Sequence, residues 1–164
     1  MPDHVDHILR QWAEARPDLD VSPMGVIGRL TRLTRVLEGE LRKTFARHDL
    51  DRSSFDVLAT LRRAGTLTPA DLMRSAMITS GAVTQRLDRL EQRGLVVRLP
   101  DETNGRRVLV DLTGAGRELI DRALPDHVDT EHRLLSAVSA EERDELAALL
   151  RNLLRSLGDV ALDD

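Results

Sequence analysis

Apolar positions fall into helical register over most of the chain. Val5, Ile8, Leu9 and Trp12 repeat at the spacing of one helix face, and Arg16-Pro17-Asp18 ends that helix. Over residues 23–47, Val26, Leu30, Leu33, Val36, Leu37, Leu41 and Phe45 form a longer stripe. A helix of that length exceeds the need of a small monomer, so part of the stripe is expected to face another subunit. His48-Asp49 closes it. A third helix is predicted over residues 52–64, with Phe55, Leu58 and Leu61 inward, Asp56 beside them and Gly65 as the stop. Further on, Thr113 caps a helix carrying Leu119, Ile120 and Leu124, which Pro125 is expected to kink without ending. Ser139-Ala140-Glu141-Glu142 reads as a capping box. Leu146, Leu149, Leu150, Leu153, Leu154 and Leu157 then keep helical spacing to Gly158, a very apolar stripe for a terminal helix.

The pattern changes over residues 68–113. Thr68 is a good N-cap, Pro69 suits the first helical position and Asp71 the first turn; Leu72, Met73 and Ala76 supply the buried side of a short helix. A second helix is expected from Thr79 or Ser80 to Gly94. Its Val83, Leu87 and Leu90 face the core. At about 100° per residue, Gly81, Gln85, Asp88, Arg89 and Gln92 then point outward, and Arg86 falls on the flank. The runs 95–99 and 108–112 are rich in strand formers, separated by the turn residues Pro100, Asp101, Asn104 and Gly105. Helix, turn, helix, strand, loop, strand is the order of a winged helix-turn-helix, which places its second helix in a DNA groove. Candidate DNA contacts are Thr79, Ser80, Gly81, Thr84, Gln85 and Arg89 on the reading helix, with Arg106 and Arg107 at the wing. Gly81 permits close approach of backbone, and the polar and basic side chains can bond to base edges or phosphates.

Charge distribution supports that reading. The net charge of −4 over 164 residues looks unsuited to DNA. Yet residues 1–107 hold 18 Lys and Arg against 15 Asp and Glu, a net +3, whereas residues 108–164 hold 6 against 13, a net −7. The acidity therefore lies in the C-terminal segment, away from the proposed reading helix. With no cysteine there is no disulfide framework or Cys-based zinc site or redox switch. Trp12, Phe45 and Phe55 are the only aromatics, too few for a single-strand stacking platform. No apolar run approaches a membrane span and no signal peptide is recognised, so a cytoplasmic location is expected. No Walker-type loop, GxSxG elbow, HExxH motif or nucleophile–base pair appears, so neither catalytic residues nor a cofactor are expected. The pairs His4/His7 and His127/His132 lack neighbouring ligands, so no metal site is expected and the histidines read as solvent-exposed.

These residues resemble the MarR (multiple antibiotic resistance regulator) family of winged-helix transcription factors. The resemblance is carried by the run from Ser80 to Val96 with Leu-Glu-Gln-Arg-Gly-Leu-Val inside it, then by Arg98, Asp101, Gly105-Arg106-Arg107, Leu112-Thr113 and Gly116. The family's wing usually reads Asp-x-x-Asp-Arg-Arg. Here Asp101 is in place, Asn104 and Gly105 stand at the second Asp and first Arg, Arg106 keeps the second Arg, and Arg107 is an added base. The resemblance implies a mainly α fold of α+β winged helix-turn-helix type, with a helical dimerisation region and a two-stranded β-wing. As one domain, residues 1–50 and 114–164 would form the dimerisation region and 51–113 the DNA-binding lobe. It further implies a cytoplasmic homodimer that regulates transcription, as a repressor, at a pseudopalindromic operator in double-stranded DNA.

Within the family the chain is most similar to the urate-responsive, PecS/TamR-like subgroup. The signs are an extra N-terminal helix with a single Trp, the run Ser-Phe-Asp-Val-Leu-Ala-Thr-Leu-Arg-Arg-Ala-Gly beginning at Ser54, and an Arg in the reading helix. That likeness implies a small anionic ligand, urate or a similar metabolite, held by Trp12, Asp56, Arg86 and Arg98. The chemistry is coherent: Trp offers a flat surface to a planar heterocycle, and Arg a fork for an anionic oxygen pair. A free Arg86–Asp56 pair is expected before the ligand arrives. Taken singly, Trp12 reads first as core packing, while Asp56 is open to reading as a solvated helix residue and Arg86 as a phosphate contact. The competing reading of the whole chain is a constitutive DNA binder, or a protein-contact module, with no ligand.

Overall fold

The computed structural model describes residues 1–75, 83–101, 104 and 107–159. Contacts divide the chain into two units, Met1–Leu41 and Arg42–Asp164. In the first, α1 (His4–Ala15) starts on Asp3, whose carboxylate accepts from the amides of Val5 and Asp6, while Asp6 accepts from the Asp3 amide. That reciprocal cap satisfies amides that have no partner inside the helix. Arg29, in the part of α2 (Ser22–Ala46) belonging to this unit, donates to Asp3 and Asp6 at 2.7–3.1 Å and ties the two helices. Val5 is buried, but Trp12, Val26, Ile27, Leu33 and Val36 remain exposed.

In the second unit the end of α2 packs with α3 (Arg52–Ala64) and α6 (Gly114–Leu134). Asp51 caps α3 through the Ser54 amide at 2.6 Å, and Gly65 ends it at φ +78°. Phe45 stacks on Phe55 with centroids 4.5 Å apart, and His127 of α6 lies against both rings. His127 therefore departs from the expected solvent-exposed histidine, because the two phenyl faces bury most of its ring; His132 is exposed as expected. A buried Thr44–Thr130 hydroxyl bond of 2.8 Å and a His48–Asp126 contact of 2.8 Å complete the α2–α6 seam. Helix α6 runs through Pro125, as expected.

Next come α4 (Pro69–Ser75), α5 (Val83–Gln92) and the antiparallel strands β1 (Val96–Pro100) and β2 (Val108–Leu112). Thr68 caps α4 as predicted, accepting from the Asp71 amide at 3.1 Å. Leu72, Val83, Leu87 and Leu90 are buried where the periodicity placed them. Ala76 lies outside the described residues. Gly94 leaves α5 at φ +67°, a conformation that costs other residues. The register pairs Val96 with Leu112 and Pro100 with Val108. Pro100 is thus the last residue of a strand instead of a turn residue, tolerated at an end where its missing N–H costs little. Leu67 bridges Val110 through two backbone bonds of 2.8 and 3.1 Å, anchoring the base of the wing beside α4.

The junction between α5, β1 and α6 is pinned closely. Thr113 accepts from the Gly116 amide to cap α6 and donates to the Gly94 carbonyl at 2.6 Å. A Cβ on Gly116 would sit 1.9 Å from the Leu95 carbonyl oxygen, so only glycine fits. The last helix, α7 (Ala140–Ser156), opens on the predicted Ser139/Glu142 capping box and buries none of its residues. Among the described residues the fold is mainly helical with a two-stranded antiparallel wing.

Candidate functional site

Helix α5 has a core face and two flanks of opposite charge. Val83, Leu87 and Leu90 are buried; Thr84, Gln85, Arg89 and Gln92 are exposed, and Arg86 is half-buried. The exposure of Thr84, Gln85 and Arg89 matches the outward face that the helical spacing predicts. Thr79, Ser80 and Gly81, and Arg106 of the wing, lie outside the described residues.

On one flank stand Arg86, Arg89 and Arg93, spaced i, i+3, i+7. They face carboxylates of the α2–α3 turn and of α3. Arg93 reaches Asp49 at 3.2 Å. A cleft of about 380 Å³ between α5 and this turn is lined by Asp49, Asp51, Ser54, Arg89 and Arg93, among others. Burial would raise the Asp51 carboxyl, but hydrogen bonds from the Ser54 amide and hydroxyl, with Arg86 and Arg89 nearby, hold it below its ordinary value. Asp56 behaves oppositely. Burial pushes its carboxyl above the ordinary range despite the pull of Arg52, His127 and Arg86. The expected Arg86–Asp56 pair is corrected here: the ion pair described for Asp56 is to Arg52, 3.8 Å away, and Arg86 shares its field between Asp51 and Asp56. One helical turn separates Arg52 from Asp56, so the local partner takes the contact.

On the other flank, Asp88 and Glu91 face the wing. Arg98, in β1, places one guanidinium nitrogen 2.6 Å from Asp88 and another against Glu91. Its backbone N–H also donates to Glu91 at 3.2 Å. Arg98 is therefore committed to α5, while Arg86, on the opposite flank, acts on Asp56 only through its field. Trp12 belongs to the first unit, where it is 40% exposed. The wing loop is closed by backbone bonds from Asp101 to Arg107 at 3.0 Å and from Arg107 to Asn104 at 2.8 Å, leaving Arg107 exposed.

Sequence reading missed Asp49, Asp51 and Arg93, and did not join Arg98 to Asp88 and Glu91. The arginine spacing on α5 was visible in the sequence, but what faced it depended on the turn after α2. Among the described residues no group of His, Asp or Glu is arranged to hold a metal, and no helix is long and apolar enough to cross a membrane.

The MarR family pattern matches residues 48–107, the stretch from the α2–α3 turn to the wing. The HTH-type transcriptional regulator PecS of Dickeya dadantii (strain 3937) is 42% identical over 156 residues, covering 93% of this chain and 94% of that protein. The multiple antibiotic resistance protein MarR of Escherichia coli (strain K12) is 34% identical over 110 residues, 65% of this chain and 74% of that one. A crystal structure of a mutant of MarR from E. coli complexed with operator DNA superposes with a TM-score of 0.71 at 29% identity, covering 87% of this chain and 97% of the other. The fold is a winged helix-turn-helix, the chain is a DNA-binding transcription regulator and not an enzyme, and it belongs to the MarR family.

Proposed function

We propose that the chain acts as a homodimeric repressor that occupies a pseudopalindromic operator and is released by a small anionic metabolite such as urate. Each subunit would place α5 in a major groove and its wing near the flanking backbone, with half-sites about one helical turn apart. Residues 1–50 and 114–164 would supply the dimerisation region around a DNA-binding lobe at 51–113. The dimer is supported by apolar side chains left in water: Leu33 and Val36 on α2, and Leu149 and Leu154 on α7, are each at least half exposed in the single chain.

The ligand response rests on one observation, the arginine flank of α5 set against Asp51 and Asp56. An anion that takes Arg86 withdraws it from both carboxylates and so acts on the helix that reads DNA. Asp56, already disfavoured as an anion by burial, would be left more so. Trp12 and Arg98 complete the residues that the subgroup likeness assigns to the ligand, and Arg98 would have to leave Asp88 and Glu91 to reach it. A tenfold loss of DNA affinity needs only about 1.4 kcal/mol of coupling, and by linkage DNA must weaken the ligand equally. The test is a gel shift with the duplex upstream of the chain's own gene, with and without urate. Release by urate, lost in Arg86→Ala, is the expected result. Binding that neither urate, xanthine nor a citrate-like anion disturbs would favour the constitutive binder.

A further inference from the structure

The reading helix carries as many acids as bases. Within Val83–Gln92, Arg86 and Arg89 are matched by Asp88 and Glu91, an arrangement ill suited to a helix entering a field of phosphates. The arginine flank already faces Asp49, Asp51 and Asp56. The carboxylates of the other flank, each more than a third exposed, stand at the edge of the outward strip of Gln85 and Gln92. Arg98 engages both. Its fork spans Asp88 and Glu91, and its backbone N–H adds a second bond to Glu91. At 26% side-chain exposure, Arg98 is the least solvated of the three. It is also fixed by its strand, where Arg98 is paired with Val110, and Val110 is fully buried.

We propose that Arg98 is a positioning residue for operator binding, which masks the two carboxylates of α5 from the DNA phosphates and sets the angle between reading helix and wing. Without it, Asp88 and Glu91 would be two free negative charges beside the groove. A point charge cannot replace it well, because two carboxylates on successive turns require a planar fork. This role rests on α5 being the DNA-reading helix and holds for the ligand-free protein, in which Arg98 engages Asp88 and Glu91.

The test is fluorescence anisotropy with the upstream duplex, alongside circular dichroism and thermal melts of each variant. Arg98→Gln should bind about tenfold more weakly while remaining folded, and Arg98→Lys should fall between it and wild type. Asp88→Asn with Glu91→Asn should bind at least as tightly as wild type. The triple variant should recover most of the affinity lost in Arg98→Gln. The deficit of Arg98→Gln should also narrow between about 50 and 200 mM salt, since screening weakens repulsion but does not repair a misplaced helix. Arg98→Gln binding within twofold of wild type, or a triple variant as weak as Arg98→Gln, would overturn the masking role. If Arg98→Gln does not fold, a double Asn variant that binds less tightly than wild type overturns it instead. Wild type that binds no duplex at low salt would sink the DNA-reading assignment itself, a result distinct from either.

Discussion

Helices α3 and α7 have the same kind of sequence and opposite fates. Both carry an apolar stripe at helical spacing, both begin on a side-chain cap, and both end in a turn at glycine. Yet α3 buries Phe55, Val57, Leu58 and Leu61, and α7 buries nothing. The difference lies in what the chain supplies opposite each. Helix α3 meets the end of α2, α4, the wing and α6, so its stripe closes within one subunit. Leu149, Leu153 and Leu154 of α7 find no such cover among the described residues, nor does Leu157 just after it. A periodic stripe thus specifies a helix and a face, while what covers that face is decided by segments distant in the sequence or, on the proposed reading, by a second copy of the chain.

The largest expected effect tests that contrast directly. Leu58→Ala leaves a void in a fully buried site and should cost about 2–5 kcal/mol, measured by urea unfolding. Leu154→Ala should change the unfolding of dilute, dissociated protein by about 0.5 kcal/mol or less. Leu154→Asp should instead abolish self-association in sedimentation, because the proposed dimer would bury an unpaired charge. A well-folded, DNA-binding wild-type monomer would break the comparison, since the α7 stripe would then need no partner.

A second substitution probes how tightly the closed region is built. Gly116→Ala would drive a methyl into the Leu95 carbonyl, and backbone must move to admit it. About 1–3 kcal/mol of destabilisation is expected in thermal melts, with the shift centred where α5, β1 and α6 meet. A small residue on α7, Ala147, is exposed and should accept larger side chains freely in the isolated subunit.

These contrasts mark what the sequence could convey. The helix boundaries, the caps at Thr68, Thr113 and Ser139, the glycine stops and the strand pair were legible because each is fixed by local chemistry. The outward set Thr84, Gln85 and Arg89 was legible for the same reason, being geometry within one helix. Partners drawn from distant segments were not. Nothing local places Asp49 and Asp51 beside the arginines of α5, joins Arg98 to Asp88 and Glu91, or stacks His127 on Phe45. Asp56 shows how the error arises: the distant partner Arg86 was favoured, while Arg52, four residues away, took the contact.

Exposed cations should separate stability from function. Arg89→Ala should cost about 1–3 kcal/mol on the true operator if it reads a base, with little change in melting. Arg107→Ala should weaken all duplexes alike and lower the salt slope by about one, as loss of a single phosphate contact does. If both variants bind the operator as tightly as wild type, these residues are not at the DNA.

The smallest effect distinguishes two carboxylates of the closed region, five residues apart. Asp51, at the exposed start of α3, has its carboxyl held low. Asp56, half-buried in the next turn, has its carboxyl pushed up. Their linkage to pH therefore has opposite sign. Between its folded value and the ordinary 3.8, Asp51 binds more protons unfolded than folded, so stability rises with pH and is fully present above 3.8. Between 3.8 and its raised folded value, Asp56 binds more protons folded than unfolded, so stability falls as pH rises through that window. Asparagine removes either charge, and it still serves as an N-cap at position 51. Asp51→Asn should therefore melt below wild type at neutral pH, and Asp56→Asn above it. Solvent screening keeps each difference to about 1 kcal/mol or less, and both should vanish in acid below the carboxylate range. Melting curves from pH 3 to pH 7 decide the matter: two variants shifting in the same direction at neutral pH would mean that burial does not govern Asp56, and that its neighbouring cations do.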